Sequence, residues 1–156
     1  MADEEDEQLA DVVRLLPEGY VVIEHSAEPD ESLARLTIYS ETSSAHQLAD
    51  ALGVAPDESR DKGERTKRGL VRQFSSISFR SGVPGDASPD EHLSDLLKRI
   101  EPWQAPVMRQ VEAGNDARLK LAFFGEAPNP AFTLSTDVLR RISDFGLELE
   151  LDIYAF

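Results

Sequence analysis

The chain of 156 residues contains no cysteine, and this absence excludes several kinds of chemistry. Without cysteine there is no disulfide framework, no thiolate metal site and no thiol nucleophile. Long apolar runs are missing as well, since no stretch of about eighteen apolar residues occurs that could cross a membrane. The opening MADEEDEQ also lacks the charged-then-apolar pattern of a secretory signal. We therefore expect a cytoplasmic protein.

Catalytic motifs are equally scarce. The chain lacks the GK[ST] ending of a P-loop and the GxSxG turn that presents a nucleophilic serine. Its three histidines, His25, His46 and His92, are scattered and have no partner at metal-binding or catalytic spacing. We therefore predict a protein that is not an enzyme and that has neither a cofactor nor a bound metal.

Positive charge is scarce too: 16 basic residues stand against 30 acidic ones, and the net charge is −14. Residues 1–32 hold eleven of the acids and one basic residue, Arg14. A field of this sign repels phosphates, so we expect neither nucleic acid nor a membrane as a partner, whereas a basic protein would be attracted. The alternative is that the acidic N-terminus only keeps the chain in solution. We divide the chain into an acidic extension, residues 1–32, and one α+β domain, residues 33–156.

The segment 60–68 is the exception, because five basic residues gather there against two acidic ones. Gly63 and Gly69 would let backbone amides turn toward a ligand, so the segment suits a phosphate or a carboxylate. Two alternatives stay open: a solvated loop, or a loop that pairs with the acidic extension of its own chain. The predicted binding residues are Arg60, Lys62, Gly63, Arg65, Lys67 and Arg68.

Capping patterns predict three helices. Ser44 and Gln47 have capping-box spacing before an apolar stripe that ends at Gly53. Ser88-Pro89-Asp90-Glu91 opens a second helix, which Glu101-Pro102 interrupts before a further segment that stops at Gly114. The third begins at Ser135 or Thr136 and is closed by Gly146, and a short helix is also predicted over residues 9–16.

Alternating or β-rich runs predict the strands. They are Tyr20–His25, Leu33–Ser40, Leu70–Arg80, Leu119–Phe124 and Leu147–Ile153, with a short one at Ala131–Leu134. The first two would form a hairpin, unless only the second belongs to the sheet. The order of elements predicts a ferredoxin-like α+β sandwich of two split β-α-β halves, with a mainly antiparallel sheet and helices packed on one face.

Three stretches carry a family resemblance: LGVAPDESRDKGE from Leu52 to Glu64, SPDEHLSDLLKRIEP from Ser88 to Pro102, and LELELDIY from Leu147 to Tyr154. Together they resemble the bacterial domain of unknown function 4279 over Leu33–Tyr154. Such domains often have a tryptophan in the strand after the basic loop, where this chain has Phe74, Ile77 and Phe79. The resemblance implies a bacterial cytoplasmic protein that is similar to small immunity or regulatory proteins, but it implies no chemistry.

Two further groups are candidate interface residues. Glu148, Glu150 and Asp152 share one face of the last predicted strand. Same-face side chains on a strand lie about 7 Å apart, which is poor geometry for one cation, so we predict a solvated or interface face without a metal. Trp103 between two prolines would suit an interface anchor, although a lone tryptophan on an apolar helix face is more often a core residue.

Two hypotheses for the function follow. The first is a non-enzymatic module that binds a protein partner, for which the acidic surface suggests a basic protein, in an immunity-like or regulatory role. The second is a small-molecule sensor or minor enzyme whose anionic ligand sits on residues 53–69. The sequence identifies neither the partner nor the oligomeric state.

Overall fold

The computed structural model of the chain describes residues 32–125 and 131–155. The helix predicted over residues 9–16 and the strand predicted at Tyr20–His25 lie outside these ranges. Within them, none of the helices has both the length and the apolar character needed to span a bilayer.

The described residues form helices and strands that alternate along the chain. In order they are β1 (Ser32–Ser40), α1 (Ala45–Leu52), β2 (Glu58–Arg60), β3 (Ser75–Arg80), α2 (Pro89–Ile100), a 3₁₀ turn (Glu101–Trp103), α3 (Gln104–Glu112), β4 (Asp116–Gly125), α4 (Thr136–Phe145) and β5 (Leu149–Ala155). The fold is α+β, as predicted, and the predicted break at Glu101-Pro102 is present as the 3₁₀ turn.

The strands form one mixed sheet in the order β2-β3-β1-β4-β5. All neighbouring strands are antiparallel except β4 and β5, which are parallel and joined by α4. In a split β-α-β unit another strand lies between the two parallel ones, whereas β5 lies directly beside β4. The ferredoxin-like arrangement is therefore not confirmed.

Strand β1 lies in the middle of the sheet. From Arg35 to Tyr39 it is hydrogen-bonded to β3 on one side and to β4 on the other. Over these residues β1 has no free edge for a hairpin partner. The prediction that Tyr20–His25 pairs with this strand involves residues outside the described ranges.

The helix ends follow the local sequence closely. Ser44 and Gln47 form the predicted reciprocal capping box at α1, and Ser88 and Glu91 form the one at α2. Ser135 caps α4 by accepting a hydrogen bond from the amide of Val138. Gly53 and Gly146 close α1 and α4 with φ angles of 72° and 90°, a conformation in which glycine has no Cβ penalty.

The core lies between the helices and one face of the sheet. Leu36 pairs with Phe79 on β3 and with Leu119 on β4, and all three side chains are fully buried. Apolar side chains from α1, α2 and α3, among them Leu48, Leu97 and Val107, belong to the same cluster. The opposite face of the sheet carries polar and charged side chains, which agrees with the prediction that helices pack on one face.

Two strand predictions need correction. Only Ser75–Arg80 of the predicted Leu70–Arg80 strand belongs to the sheet, because Leu70–Phe74 form the returning arm of a protruding hairpin. Ala131–Leu134 is not a strand. The three-residue strand β2 was not predicted, since ESR has neither β-branched residues nor an apolar alternation.

Candidate binding surface

Residues 60–74, which we call the basic hairpin, join β2 to β3 and extend their ladder beyond the sheet. Its base is anchored to the domain. The carboxylate of Asp61 accepts a hydrogen bond of 2.8 Å from the amide of Ala45, at the start of α1. The amide of Lys62 donates to Ser75 Oγ at 3.0 Å, and its ammonium group donates to the carbonyl of Glu41 at 3.3 Å. These hydrogen bonds fix the base of the hairpin against the end of the sheet.

Backbone hydrogen bonds close the two arms of the basic hairpin on each other. The amide of Gly63 donates to the carbonyl of Arg72 at 2.9 Å, and the amide of Gly69 donates to the carbonyl of Thr66 at 2.8 Å. The two glycines have φ angles of 89° and 80°, as predicted for tight turns. Their amides are nevertheless already bonded within the hairpin. These two amides are therefore not available to an anion, and the predicted binding of an anion by this segment stays a prediction that depends mainly on side chains.

The basic side chains of the hairpin project into solvent. All five predicted ones, Arg60, Lys62, Arg65, Lys67 and Arg68, are exposed, whereas Arg72 is half-buried. Within the described part of the chain, no carboxylate forms an ion pair with Arg60, Lys62, Arg65, Lys67 or Arg72. The hairpin holds six basic residues against Asp61 and Glu64, so its local charge is positive.

Apolar side chains are exposed on the same hairpin. Leu70 is 60% exposed, Val71 47% and Phe74 45%. An exposed apolar patch that is rimmed by charge is typical of a surface that binds another molecule. The sequence did not predict this feature, because Leu70–Phe74 had been assigned to a strand.

A cleft of about 490 Å³ lies beside the base of the basic hairpin. It opens at the end of the sheet where β1 ends and β4 begins, and Phe74 and Glu41 connect it to the hairpin. Its lining residues are Tyr39, Glu41, Thr42, Phe74, Ala113, Gly114, Asn115, Asp116 and Arg118. The aromatic rings of Tyr39 and Phe74 give this cleft an apolar part next to two carboxylates.

The single cation of the cleft is already engaged. Arg118 lies 2.6 Å from the carboxylate of Asp116 and 5.7 Å from the ring centre of Tyr39. The hydrogen bond with Asp116 raises the pKa of Arg118 above its usual value. With Glu41 and Asp116 in the lining, the cleft does not attract anions. A cationic or aromatic side chain fits it better.

The polar face of the sheet, on the side away from the helices, carries the predicted acidic residues. Lys120 lies between Glu150 and Asp152, with its ammonium group 3.2 Å and 2.8 Å from their carboxylates. Burial would lower the pKa of Lys120, but the hydrogen bonds with Asp152 and Glu150 outweigh it and raise that pKa. Glu148 is exposed and precedes β5. Two of the three predicted carboxylates are thus paired inside the sheet.

Ion pairs also occur at the other end of the polar sheet face. Glu58 lies 3.8 Å from Arg35 and 3.4 Å from Arg80, which are directly opposite each other on β1 and β3. One carboxylate therefore lies between two guanidinium groups. The cations of the polar sheet face thus have carboxylate partners, whereas Arg60, Arg65 and Lys67 of the hairpin form no ion pair within the described residues.

Trp103 lies at the margin of the core, half-buried at the junction of α2 and α3. Its ring centre is 4.9 Å from that of Phe79, and the guanidinium of Arg99 lies over both rings at 5.9 Å and 5.5 Å. It is not among the residues that line the cleft. The structure therefore separates Trp103 from the basic hairpin, with which it does not form one site.

A serine and a histidine that the sequence did not connect meet inside the domain. Ser81 Oγ lies 2.6 Å from Nδ1 of His92 and also accepts the amide of Ala34. Burial lowers the pKa of His92, which is only 1% exposed, and its Nε2 has no hydrogen-bond partner among the described residues. A buried pair of this kind offers a substrate no access, so it is not a candidate for nucleophilic catalysis.

A family model for a domain of unknown function (DUF4279) matches residues 30–156 of the chain. Because the match covers most of the chain, the chain belongs to this family, and the resemblance seen in the sequence is confirmed. No curated protein and no solved structure matches the chain. The description of the family contains no activity, so the function has to be argued from the surface itself.

Proposed function

We propose that the protein is a non-enzymatic binding module that recognises an acidic segment of a partner protein through the basic hairpin and the adjoining cleft. One observation carries the proposal: exposed cations without carboxylate partners in the described residues lie beside exposed apolar side chains. Unpaired surface charges are free to steer a partner of opposite sign and to make ion pairs with it. An immunity-like or regulatory role would be served by such a surface.

The shape of the surface favours a protein partner over a small molecule. The basic side chains extend along both arms of the hairpin, and none of them lines the cleft. The neighbouring cleft has the opposite charge preference, with Glu41 and Asp116 in its lining. A single small anion could not use both regions, whereas a peptide with acidic residues and one apolar or basic anchor side chain could.

The proposal is tested with a fluorescent peptide that contains six acidic residues and one phenylalanine, titrated with the full chain. The variant Arg60→Gln/Arg65→Gln/Lys67→Gln removes three charges from the hairpin. The matched control Lys98→Gln/Arg109→Gln/Arg140→Gln removes three exposed charges from α2, α3 and α4. We expect the hairpin variant to bind about 10–100-fold more weakly, since each rim contact contributes about 0.5–1 kcal/mol, and the control to bind as wild type. Equal losses in the two variants would refute the assignment.

The second candidate function is the binding of a small anion at the same hairpin. It is favoured by the cluster of guanidinium groups, which bind phosphate and carboxylate well. A thermal-shift screen with phosphates and carboxylates tests it, because a ligand that binds only the folded chain raises the unfolding midpoint. A midpoint that rises with inorganic phosphate and fails to rise with the acidic peptide would favour this function over the first.

A basic protein partner remains a prediction from residues 1–32, most of which lie outside the described ranges. Such a partner would be bound by the acidic extension and not by the basic hairpin. The two cases differ in the variant that weakens binding: Glu4→Gln/Glu5→Gln/Asp6→Asn/Glu7→Gln for a basic partner, and the hairpin variant for an acidic one.

A further inference from the structure

We infer that residues 1–31, the acidic arm, occupy the basic hairpin of the same chain when no partner is bound. The arm would then compete with the acidic partner for the same side chains, and this consequence, unlike the contact itself, rests on the proposed function. The occupant is thus a carboxylate-rich segment of the same chain. Three observations carry the inference: the arm and the hairpin have opposite charges, several other cations of the domain are already paired, and the arm is long enough to reach the hairpin.

The charges of the two segments are complementary. The arm holds eleven acidic residues and one arginine, and five of the acids are consecutive, from Asp3 to Glu7. The basic hairpin holds six of the fifteen basic residues that lie beyond the arm. Attraction between clusters of this kind is felt over about 10 Å at 0.1 M salt.

Other cationic groups of the domain are less available. Arg35 and Arg80 share Glu58, and Arg118 and Lys120 contact Asp116, Glu150 and Asp152. An approaching acidic segment would have to displace these carboxylates and would meet their negative charge. On the basic hairpin, Arg60, Arg65 and Lys67 have no such competitor among the described residues. Lys98 and Arg109 are also exposed without an ion pair among the described residues, but they lie on separate helices, so the larger cluster on the hairpin is the favoured place for the arm.

The arm is long enough to reach the hairpin. It joins the domain at Ser32, the far end of β1 from Ser40, so the path along β1 is about 26–30 Å. Glu5 lies 27 positions before Ser32, and this length of chain spans about 90 Å if extended or about 40 Å if helical. Either conformation reaches Lys62 at the base of the hairpin. Tethering at this distance gives an effective concentration on the order of millimolar, which makes a weak contact significant.

The experiment places a nitroxide label on the variant Ala2→Cys of the full chain, which has no other cysteine. We expect the label to broaden the amide NMR signals of the basic hairpin at low salt. The broadening should disappear in 0.5 M NaCl, because salt at this concentration screens surface charges. It should also disappear with the hairpin variant Arg60→Gln/Arg65→Gln/Lys67→Gln, and persist with the control Lys98→Gln/Arg109→Gln/Arg140→Gln.

Several outcomes would overturn the inference. Broadening spread evenly over the domain, or centred on the polar sheet face, would show that the arm has no preference for the hairpin. Broadening that arises only when labelled chain is mixed with unlabelled ¹⁵N chain would show a contact between molecules. A charge exchange gives an independent check: Arg65→Glu/Lys67→Glu should abolish the contact, and Glu4→Lys/Glu5→Lys in the same chain should restore it.

The inference and the proposed function fail in different ways. If the arm contacts the hairpin but the acidic peptide never binds it, even with Glu4→Gln/Glu5→Gln/Asp6→Asn/Glu7→Gln in the arm, the proposed function is wrong and the inference stands. If the peptide binds and the label broadens no hairpin signal, the inference is wrong and the proposed function stands. If both are right, that arm variant should bind the peptide about two- to tenfold more tightly, because the competing segment has lost charge.

Discussion

The polar sheet face and the basic hairpin both carry clustered cations, but within the described residues the sheet face pairs its cations with carboxylates, whereas Arg60, Arg65 and Lys67 of the hairpin form no ion pair. On the sheet face, Lys120 has two carboxylates within 3.2 Å, and Glu58 lies between two arginines. On the hairpin, Arg60, Arg65 and Lys67 meet no carboxylate of the described residues. Charges that are paired within a domain contribute modestly to its stability, whereas unpaired charges remain available to a ligand. The contrast identifies which positive residues are candidates for binding.

The largest effect should come from reversing the unpaired charges. The change Arg65→Glu/Lys67→Glu should weaken binding of the acidic peptide about 100-fold or more, since attraction becomes repulsion at two contacts. The free energy of unfolding should change by less than about 0.5 kcal/mol, because both side chains are exposed surface groups. Titration and urea denaturation measure the two quantities. A large loss of stability with intact binding of the peptide would contradict this account, because it would show that the two side chains stabilise the fold and do not bind the peptide.

The next effect concerns the best-paired carboxylate of the domain. Asp57 accepts hydrogen bonds of 2.5 Å and 2.9 Å from Arg99, and another of 2.7 Å from the amide of Arg80. The bonds from Arg99 hold the pKa of Asp57 below its usual value. We expect Asp57→Asn to lower the free energy of unfolding by about 1–2 kcal/mol, allowing for solvent screening at this partly exposed site. Binding of the acidic peptide should not become weaker. Urea denaturation at neutral pH checks the change, and unaltered stability would contradict it.

A smaller effect is expected when the sheet-face pairing is broken. Lys120→Met keeps the aliphatic stem and removes the charge between Glu150 and Asp152. The two carboxylates would then repel each other, and we expect a loss of about 0.5–1 kcal/mol that shrinks in high salt. Denaturation at two salt concentrations measures it. The matched change Lys98→Met, at an exposed site on α2, should have almost no effect.

The smallest effect is a change in the pH dependence of stability. The folded-state pKa of His92 is lowered by burial, so the unfolded chain binds a proton there more readily. The stability that neutral His92 contributes is fully present above the usual histidine pKa of about 6.5. It is lost as the pH falls from about 6.5 toward the lowered pKa of the folded state. Asp95 and Glu91 raise the pKa and limit the shift. His92→Gln should flatten the unfolding free energy between pH 6.5 and the onset of carboxylate titration at about pH 5; an unchanged slope would contradict this account.

The features that could be predicted from the sequence are the local ones. A capping box such as that of Ser88 and Glu91 spans four residues, so its pattern and its geometry coincide. Charge pairing was not predictable, because Lys120 and Asp152 are brought together by the parallel pairing of β4 with β5. The contact between Ser81 and His92 also depends on tertiary structure. The binding role of the basic residues of the hairpin stays a prediction, and the absence of an ion pair at Arg60, Arg65 and Lys67 within the described residues became visible only in the fold.

The comparison of the two regions is tested most directly by one NMR titration of the full chain with the acidic peptide. It reports on every backbone amide at once, so the hairpin and the sheet face are measured in the same sample. We predict that the signals of residues 60–74 and of the cleft residues Glu41 and Thr42 shift with the peptide, while those of Lys120, Glu150 and Asp152 remain in place. Shifts confined to the sheet face, with none in the basic hairpin, would contradict the account.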